Sequence, residues 1–214
     1  MTNKPDTTAS DPLSQSAILT KGLEIADREG IDKLSIRKIA KELGKTPMAL
    51  YRHFDSMADI QQGILALAFQ EVDTAPIPGE RWDDTIRRTT ASIRNMHLNH
   101  SKARLYLVET EAWAPGLRDH TEHVQQLHHD QGIPEHIFTR AWRIIDAFLS
   151  GFIISECTST EHHATLPAGK IPSWASITDA AYSDEAFHDG IEIIIAGIRN
   201  LAAPDPCEWR TPLA

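Results

Sequence analysis

Several features that mark other classes of protein are missing from this 214-residue chain. Its two cysteines, Cys157 and Cys207, are too few for a disulfide framework and lack the spacing of a zinc site. No apolar run approaches the roughly 18 residues of a membrane span, and the polar N-terminus lacks the apolar centre of a signal peptide. Phosphate loops, nucleophile elbows and glutamate-bracketed histidine motifs are missing too. We therefore expect a cytoplasmic protein that spans no membrane, uses no cofactor and is not an enzyme.

The alternation of apolar and polar residues that would predict strands is missing as well. Apolar residues recur instead at spacings of three and four, the period of one helix face. The predicted fold class is therefore all-α, with helices over residues 13–29, 36–43, 47–53, 56–74, 82–99, 102–110, 115–131, 134–157 and 184–201. Residues 159–182 are rich in loop-forming types and predict an irregular connection.

Residues 35–54 predict two short helices joined by a tight turn. Ser35 is a good N-cap for the first helix, and Gly44 suits the turn because glycine tolerates a positive φ. Thr46 can cap the second helix, with Pro47 at its first position, where proline is tolerated. This arrangement is typical of a helix-turn-helix, which places its second helix in the DNA major groove. Its expected core residues are Leu34, Ile39, Ala40, Leu43, Leu50 and Phe54.

The charge distribution agrees with this motif, although the whole chain has a net charge of −9. Residues 33–53 carry six lysines and arginines against Glu42 alone, a net charge of +5, and the remainder carries −14. A local basic face attracts DNA phosphates whatever the total charge, and an acidic remainder helps to orient the protein. Lys38 and Lys41 could equally be ordinary solvated charges.

Two runs, Leu34–Gly44 and Met48–Phe54, resemble the TetR family of bacterial transcriptional regulators. The shared pattern is Ser-x-Arg-x-Ile-Ala, then a Leu-Gly turn, then Leu-Tyr-x-His-Phe. It covers roughly residues 15–65, and the second run leans toward the branch that contains the tetracycline repressors. The resemblance implies a three-helix DNA-binding head followed by a larger helical domain for ligand binding and dimerisation.

By that resemblance, Tyr51 and His53 contact phosphates at the end of the second helix, and Arg37 approaches the DNA. A phenol and an imidazole can donate to phosphate oxygens, and arginine can bind guanine through two hydrogen bonds. Tyr51 could also lie partly in the core, and His53 could be an ordinary surface residue. The complete candidate set for DNA binding is Ser35, Arg37, Lys45, Thr46, Pro47, Met48, Tyr51, Arg52 and His53.

One position departs from the family pattern. Met57 stands where the family commonly has a lysine that touches phosphate, so this contact is in doubt and Lys45 is the expected replacement. The base-facing surface is also unusually apolar at Pro47 and Met48, which could pack only on thymine methyls or sugars. We therefore expect the operator to be read partly through DNA shape.

A compositional break at residues 74–79, with two prolines and a glycine, ends the fourth predicted helix. We assign the helix-turn-helix domain to residues 13–60 and a helical effector-binding and dimerisation domain to residues 61–203. Residues 1–12 and 204–214 are expected to be flexible tails.

The last predicted helix is apolar nearly all round, which requires cover on more than one side. A second subunit could supply that cover if two helices from each chain form a four-helix bundle, with Gly151 and Gly197 allowing close approach. Burial within one chain is the alternative. The candidate dimer residues are Ile145, Leu149, Phe152, Phe187, Ile191, Ile194 and Ile198.

Aromatic and histidine side chains between residues 82 and 148 could line a cavity for an aromatic effector. Aromatic residues at helical spacing are more often plain core, so this set has an ordinary alternative. The candidate effector-binding residues are Trp82, His97, Tyr106, Trp113, Trp142 and Phe148.

A histidine cluster offers a different function. His120 and His123 are spaced to share one helix face, and His128 follows, so a divalent metal could bind there. Such a site would suit a metal-sensing regulator or a metal-dependent enzyme. Another alternative is an architectural DNA-binding protein with a well-packed, ligand-free second domain.

The sequence as a whole predicts a ligand-responsive transcriptional repressor. By the resemblance, it binds a pseudo-palindromic double-stranded DNA operator as a homodimer, and a small-molecule effector releases it.

Overall fold

The computed structural model describes residues 13–103, 106–107, 117–165 and 182–202, without the side chains of 159–165. These ranges contain no strand, so the predicted all-α class is confirmed. No helix within them is both long and apolar enough to cross a membrane. The α-helices are α1 (Gln15–Glu29), α2 (Ile36–Glu42), α3 (Pro47–Leu50), α4 (Met57–Phe69), α5 (Trp82–Asn99), α6 (Arg118–Asp130), α7 (Glu135–Thr165) and α8 (Asp184–Ala202).

The predicted caps begin the first short helices of the chain. Ser35 Oγ accepts the Lys38 amide at 3.3 Å, and Thr46 Oγ1 accepts the Ala49 amide at 3.3 Å. Ser56 forms a reciprocal capping box with Asp59. Gly44 takes the expected left-handed conformation in the turn, with φ of 64°.

Three predicted helix limits were wrong. Helix α3 ends at Leu50 because residues 51–53 continue as turns rather than as α-helix. Helix α4 ends at Phe69, because the backbone hydrogen bonds of the next residues join amides to carbonyls three residues earlier. Helix α7 runs on to Thr165 because residues 158–165 contain neither proline nor glycine, so no residue there breaks the helix.

Helices α1 and α4 pack closely and form the main support of α2 and α3. Gly22 and Gly63 make this approach possible: an added Cβ would lie 2.6 Å from Ile64 Cδ1 and 2.5 Å from Leu19 Cδ2, respectively. The head core is fully buried at its centre. Its buried members are Ile18, Ile25, Leu34, Ile36, Ile39, Ala40, Leu50, Ile60 and Ile64.

Helices α5, α7 and α8 enclose a second core. Two ionic groups tie these helices together. Arg94 on α5 donates to Glu156 at 2.6 Å and to Asp184 at 2.7 Å, and its guanidinium lies over the Phe187 ring. Asp83 on α5 accepts from Arg199 on α8. Because both Arg94 and Asp83 are buried, these pairs fix how the helices are aligned.

Candidate functional site

The turn between α2 and α3 presents an exposed face on a rigid base. Leu50 is completely buried beneath it, whereas Met48 is 71% exposed and Tyr51 is 48% exposed. The Gln15 side chain donates to the His53 carbonyl at 2.9 Å and so ties this segment to α1. Every residue of the predicted DNA-binding set is exposed or half-buried, which leaves it accessible to a ligand as large as DNA.

The cations on this segment fall into two groups. Lys38 pairs with Glu29, and Arg28 on α1 pairs with Glu29 and Glu42, so these charges are largely neutralised. Arg37 and Arg52 are exposed and form no ion pair or hydrogen bond in the described part of the chain. Free guanidinium groups are well suited to phosphate or guanine.

Two polar residues of the predicted DNA-binding set, Ser35 and Thr46, also cap helices. The hydroxyl oxygens of Ser35 and Thr46 accept backbone amides as caps, but each hydroxyl hydrogen is still able to donate to a phosphate. Met57 is half-buried and packs against the head core. At this position, where the family commonly has a lysine, the methionine contributes to apolar packing.

A narrow cavity opens between α5, α6 and α7. The volume open to the centre of a water-sized sphere is about 40 Å³, and the larger space of about 470 Å³ includes open solvent at the mouth. Among the predicted effector residues that the structure describes, only Trp142 lines it. The described residues that line it are Thr89, Thr90, Ile93, His120, Thr121, Val124, His128, Trp142, Ile145, Asp146 and Leu149.

The two histidines of the cavity are held in the neutral form. Burial and then the charge of Arg88 lower the pKa of His128 from its ordinary 6.5 to about 4, against the opposing charge of Glu80. His128 Nε2 lies 3.1 Å from Thr89 Oγ1, whose hydrogen is donated to the Thr85 carbonyl at 2.8 Å. The Nε2 atom is therefore the donor. Burial also lowers the pKa of His120, and nearby His123 adds to this effect.

The neutral form of His128 makes folding sensitive to acid. Its folded pKa, about 4, lies below the unfolded value of 6.5, so the unfolded chain binds the extra proton between these pH values. We expect the free energy of unfolding to fall as pH drops through this window, by about 3 kcal/mol in total. Urea unfolding of the wild type and of His128→Gln across pH 4–7 measures this pH dependence of the free energy of unfolding. Equal pH slopes in both proteins would contradict the assignment.

Asp146 supplies the one carboxylate among the described residues of the cavity lining. Burial raises its pKa, while the charge of Arg143 opposes this only in part. It makes no hydrogen bond or ion pair with any residue whose side chain the structure describes. Sequence reasoning missed Asp146, Thr89 and Thr90 because it looked for aromatic residues.

The other predicted effector residues lie elsewhere. Trp82 and Phe148 pack against the second core, with Phe148 against Gly190 of α8. His97 is buried with its ring edge-to-face with Phe69, and Tyr106 packs against a separate cluster around Phe69. Trp113 lies outside the described residues. Where they are described, these side chains do not line this cavity and pack in or against the apolar clusters instead.

The predicted dimer residues are also core residues of the single chain. They hold α7 against α8, and Ile194 is the least buried of them. Six of the seven are buried within the single chain and Ile194 is half-buried, so most of this set offers little surface to a second subunit. The residues concerned are Ile145, Leu149, Phe152, Phe187, Ile191, Ile194 and Ile198.

An apolar surface remains open on the opposite face of the same helices. Ile144 is 49% exposed, Ile154 is 36% exposed and Ile193 is 73% exposed. Gly151 and Gly197 lie on this side, and a Cβ added at either would meet no described atom within 4 Å. We call this surface the outer face of α7 and α8; its residues are Ile144, Ala147, Gly151, Ile154, Ile193, Ala196 and Gly197.

The histidine cluster does not form a metal site in the described part of the chain. His120 and His128 line the cavity, whereas His123 is exposed with its Nε2 atom 3.3 Å from the Thr74 carbonyl. No group of three or more potential ligands comes together among the described residues. A metal sensor or a metal-dependent enzyme would need His120, His123 and His128 to meet at one site, and the structure does not bring them together.

An exposed helix-turn-helix with free arginines, joined to a helical body that contains a cavity, defines the class of helix-turn-helix regulators. Known proteins identify the family. The model for bacterial regulatory proteins of the tetR family matches residues 18–64, and the model for the tetracyclin repressor-like C-terminal domain matches residues 75–202. The chain belongs to the TetR family of transcriptional regulators, as the sequence predicted.

Individual relatives agree with this membership. An HTH-type transcriptional regulator of Saccharopolyspora erythraea is 33% identical over 88 residues, which are 41% of this chain and 37% of that protein. The HTH-type transcriptional repressor DrrR1 of Streptomyces coeruleorubidus is 22% identical over 90% of this chain and 82% of its own. The TetR family protein ActR of Streptomyces coelicolor, solved in complex with actinorhodin, is 25% identical, with a TM-score of 0.67 over 91% of this chain and 99% of its own.

Proposed function

We infer that the chain is a repressor that binds a pseudo-palindromic operator as a homodimer and is released by a small-molecule effector. The observation that carries this inference is the combination of the free Arg37 and Arg52 of the helix-turn-helix with a cavity in the helical body. A well-packed architectural protein would need no such cavity. The repressor DrrR1 and the ligand complex of ActR support the same assignment, and a DNA regulator of this kind would act in the cytoplasm.

The division of labour on the DNA follows from exposure and chemistry. Arg37 has a free guanidinium suited to guanine, and Thr46, Pro47 and Met48 begin the helix that faces the bases. Lys45, Arg52 and the polar ends of Tyr51 and His53 are placed for phosphates, which fix register without reading sequence. Because Met48 is so exposed and has no hydrogen-bond donor, it is suited to a thymine methyl.

A homodimer is what the outer face of α7 and α8 supports. Along α7 its exposed residues Ile144, Ala147, Gly151 and Ile154 recur at a spacing of three and four, the pattern of a helix–helix seam. Open glycines on the same side let a second chain approach closely. Two recognition helices can then reach major grooves one helical turn apart.

Release by an effector needs a physical link between cavity and head. His120 lines the cavity, and its ring lies edge-to-face with Phe69 at 5.3 Å between centroids. Phe69 is the last residue of α4, which packs along α1 of the head. An effector that favours a shifted His120 would thereby bias α4 and the spacing of the two heads. The effector shifts this equilibrium only by its difference in affinity for the two states.

Selection of binding sites from random duplex DNA tests the proposal. We expect enrichment of a pseudo-palindrome whose half-site centres lie about 10 base pairs apart. Compounds that displace the protein from this site would then be identified, and Trp142→Ala should abolish their effect while DNA binding persists. Failure to enrich any sequence, or enrichment of a single asymmetric half-site, would contradict the proposal.

A further inference from the structure

The chemistry of the cavity restricts the class of effector, and this inference depends on the proposed function only in calling the ligand an effector. The described lining contains no lysine or arginine. Arg88, the cation that influences His128, is itself bound by Glu80 at 2.7 and 2.8 Å and lies 3.1 Å from Asp73. Asp146 is thus the group that sets the charge of the described lining.

The threonine hydroxyls add acceptors rather than donors. Thr90 Oγ1 donates its hydrogen to the Ile86 carbonyl at 2.7 Å, as Thr89 Oγ1 does to Thr85. Thr90 therefore offers lone pairs to a ligand, and the Asp146 carboxylate offers more. A ligand that brings hydrogen-bond donors is complementary to this pair.

An aromatic surface lies beside these acceptors. Trp142 lines the cavity one helical turn before Asp146 on α7, and the His128 ring holds the indole edge-to-face at 5.7 Å. Indole faces attract cations as well as flat aromatic rings. Besides His120 and Thr121, the remaining described lining is aliphatic and would hold an apolar ring system; it consists of Ile93, Val124, Ile145 and Leu149.

We propose that the cavity binds an aromatic cation, with a protonated amine at Asp146 and the ring system against Trp142. The amine replaces the missing ionic partner of Asp146 and donates to Thr90. An anionic aromatic molecule would meet the like charge of the exposed Asp146 carboxylate, and this repulsion disfavours it.

Three probes with one ring system test the charge preference: 2-naphthylmethylamine, 2-naphthylmethanol and 2-naphthoate. Calorimetric titration into the whole protein should show one site per chain, with the amine binding about tenfold more tightly than the alcohol and the acid most weakly. Asp146→Asn should remove the advantage of the amine and leave the alcohol unchanged. Glu135→Gln, an exposed acid on the same helix, is the matched control and should change nothing.

The outcomes separate this proposal from the proposed function. Equal affinities, a preference for the acid, or no binding of any probe would overturn the aromatic-cation assignment. An unchanged amine advantage in Asp146→Asn would overturn it as well, since the preference would then come from the overall negative charge. None of these results touches the DNA-site selection, which tests operator binding in the absence of ligand.

Discussion

Arg37→Ala combined with Tyr51→Phe is expected to abolish specific operator binding without changing the fold or the oligomeric state. In the proposed complex, Arg37→Ala would remove a two-hydrogen-bond contact to a base, and Tyr51→Phe would remove a hydrogen-bond donor to phosphate. Together these losses amount to about 2–4 kcal/mol in each half-site. A dimer with two altered half-sites should therefore bind roughly a thousandfold more weakly or worse. Fluorescence anisotropy with the selected operator at physiological salt measures the change.

The matched control is Arg28→Ala. It removes the same charge from the same head, but from a side chain already paired with Glu29 and Glu42. We expect its operator affinity to stay within a few-fold of the wild type, since surface pairs contribute little. Wild-type affinity in the double variant would show that the DNA-binding face lies elsewhere on the head.

Ile193→Lys is expected to convert the dimer into a monomer. In the single chain Ile193 is 73% exposed, so the substitution should barely affect folding. In a dimer that uses the outer face of α7 and α8, each subunit would bury an unpaired ammonium. This burial should cost about 4 kcal/mol or more and weaken association roughly a thousandfold. Sedimentation velocity at micromolar concentration measures the fraction of dimer, and operator affinity should fall as that fraction falls.

Ile77→Lys controls for adding a charge to an exposed isoleucine. Ile77 is 43% exposed and lies in the loop between α4 and α5, away from the outer face. It should remain dimeric with unchanged operator affinity. If Ile193→Lys also remains dimeric, the subunits associate through a different surface.

The head could be predicted from sequence because each of its elements has a local signal. Ser35, Gly44 and Thr46 mark helix ends through their own chemistry, and the apolar spacing around Ile39 defines the buried side. The family pattern then adds the exposed residues. These local signals needed no knowledge of how distant helices meet.

The body was predicted less well because its site depends on tertiary packing. The inner and outer faces of α7 and α8 are both rich in isoleucine, so periodicity alone could not tell that Ile145 faces the core and Ile144 faces out. Trp82 and Phe148 were grouped with Trp142 because their residue types suit a ligand, but only the packing shows which aromatic side chain reaches the cavity. Asp146 carries no sequence motif at all.

The central claim is tested most directly by comparing the selected operator with a copy in which one half-site is scrambled. Anisotropy titrations at one physiological salt concentration give both affinities, and mass photometry gives the number of chains bound. The account predicts two chains on the intact operator and affinity at least about a hundredfold weaker for the scrambled copy. Equal affinity for both duplexes, with a single chain bound to each, would contradict it.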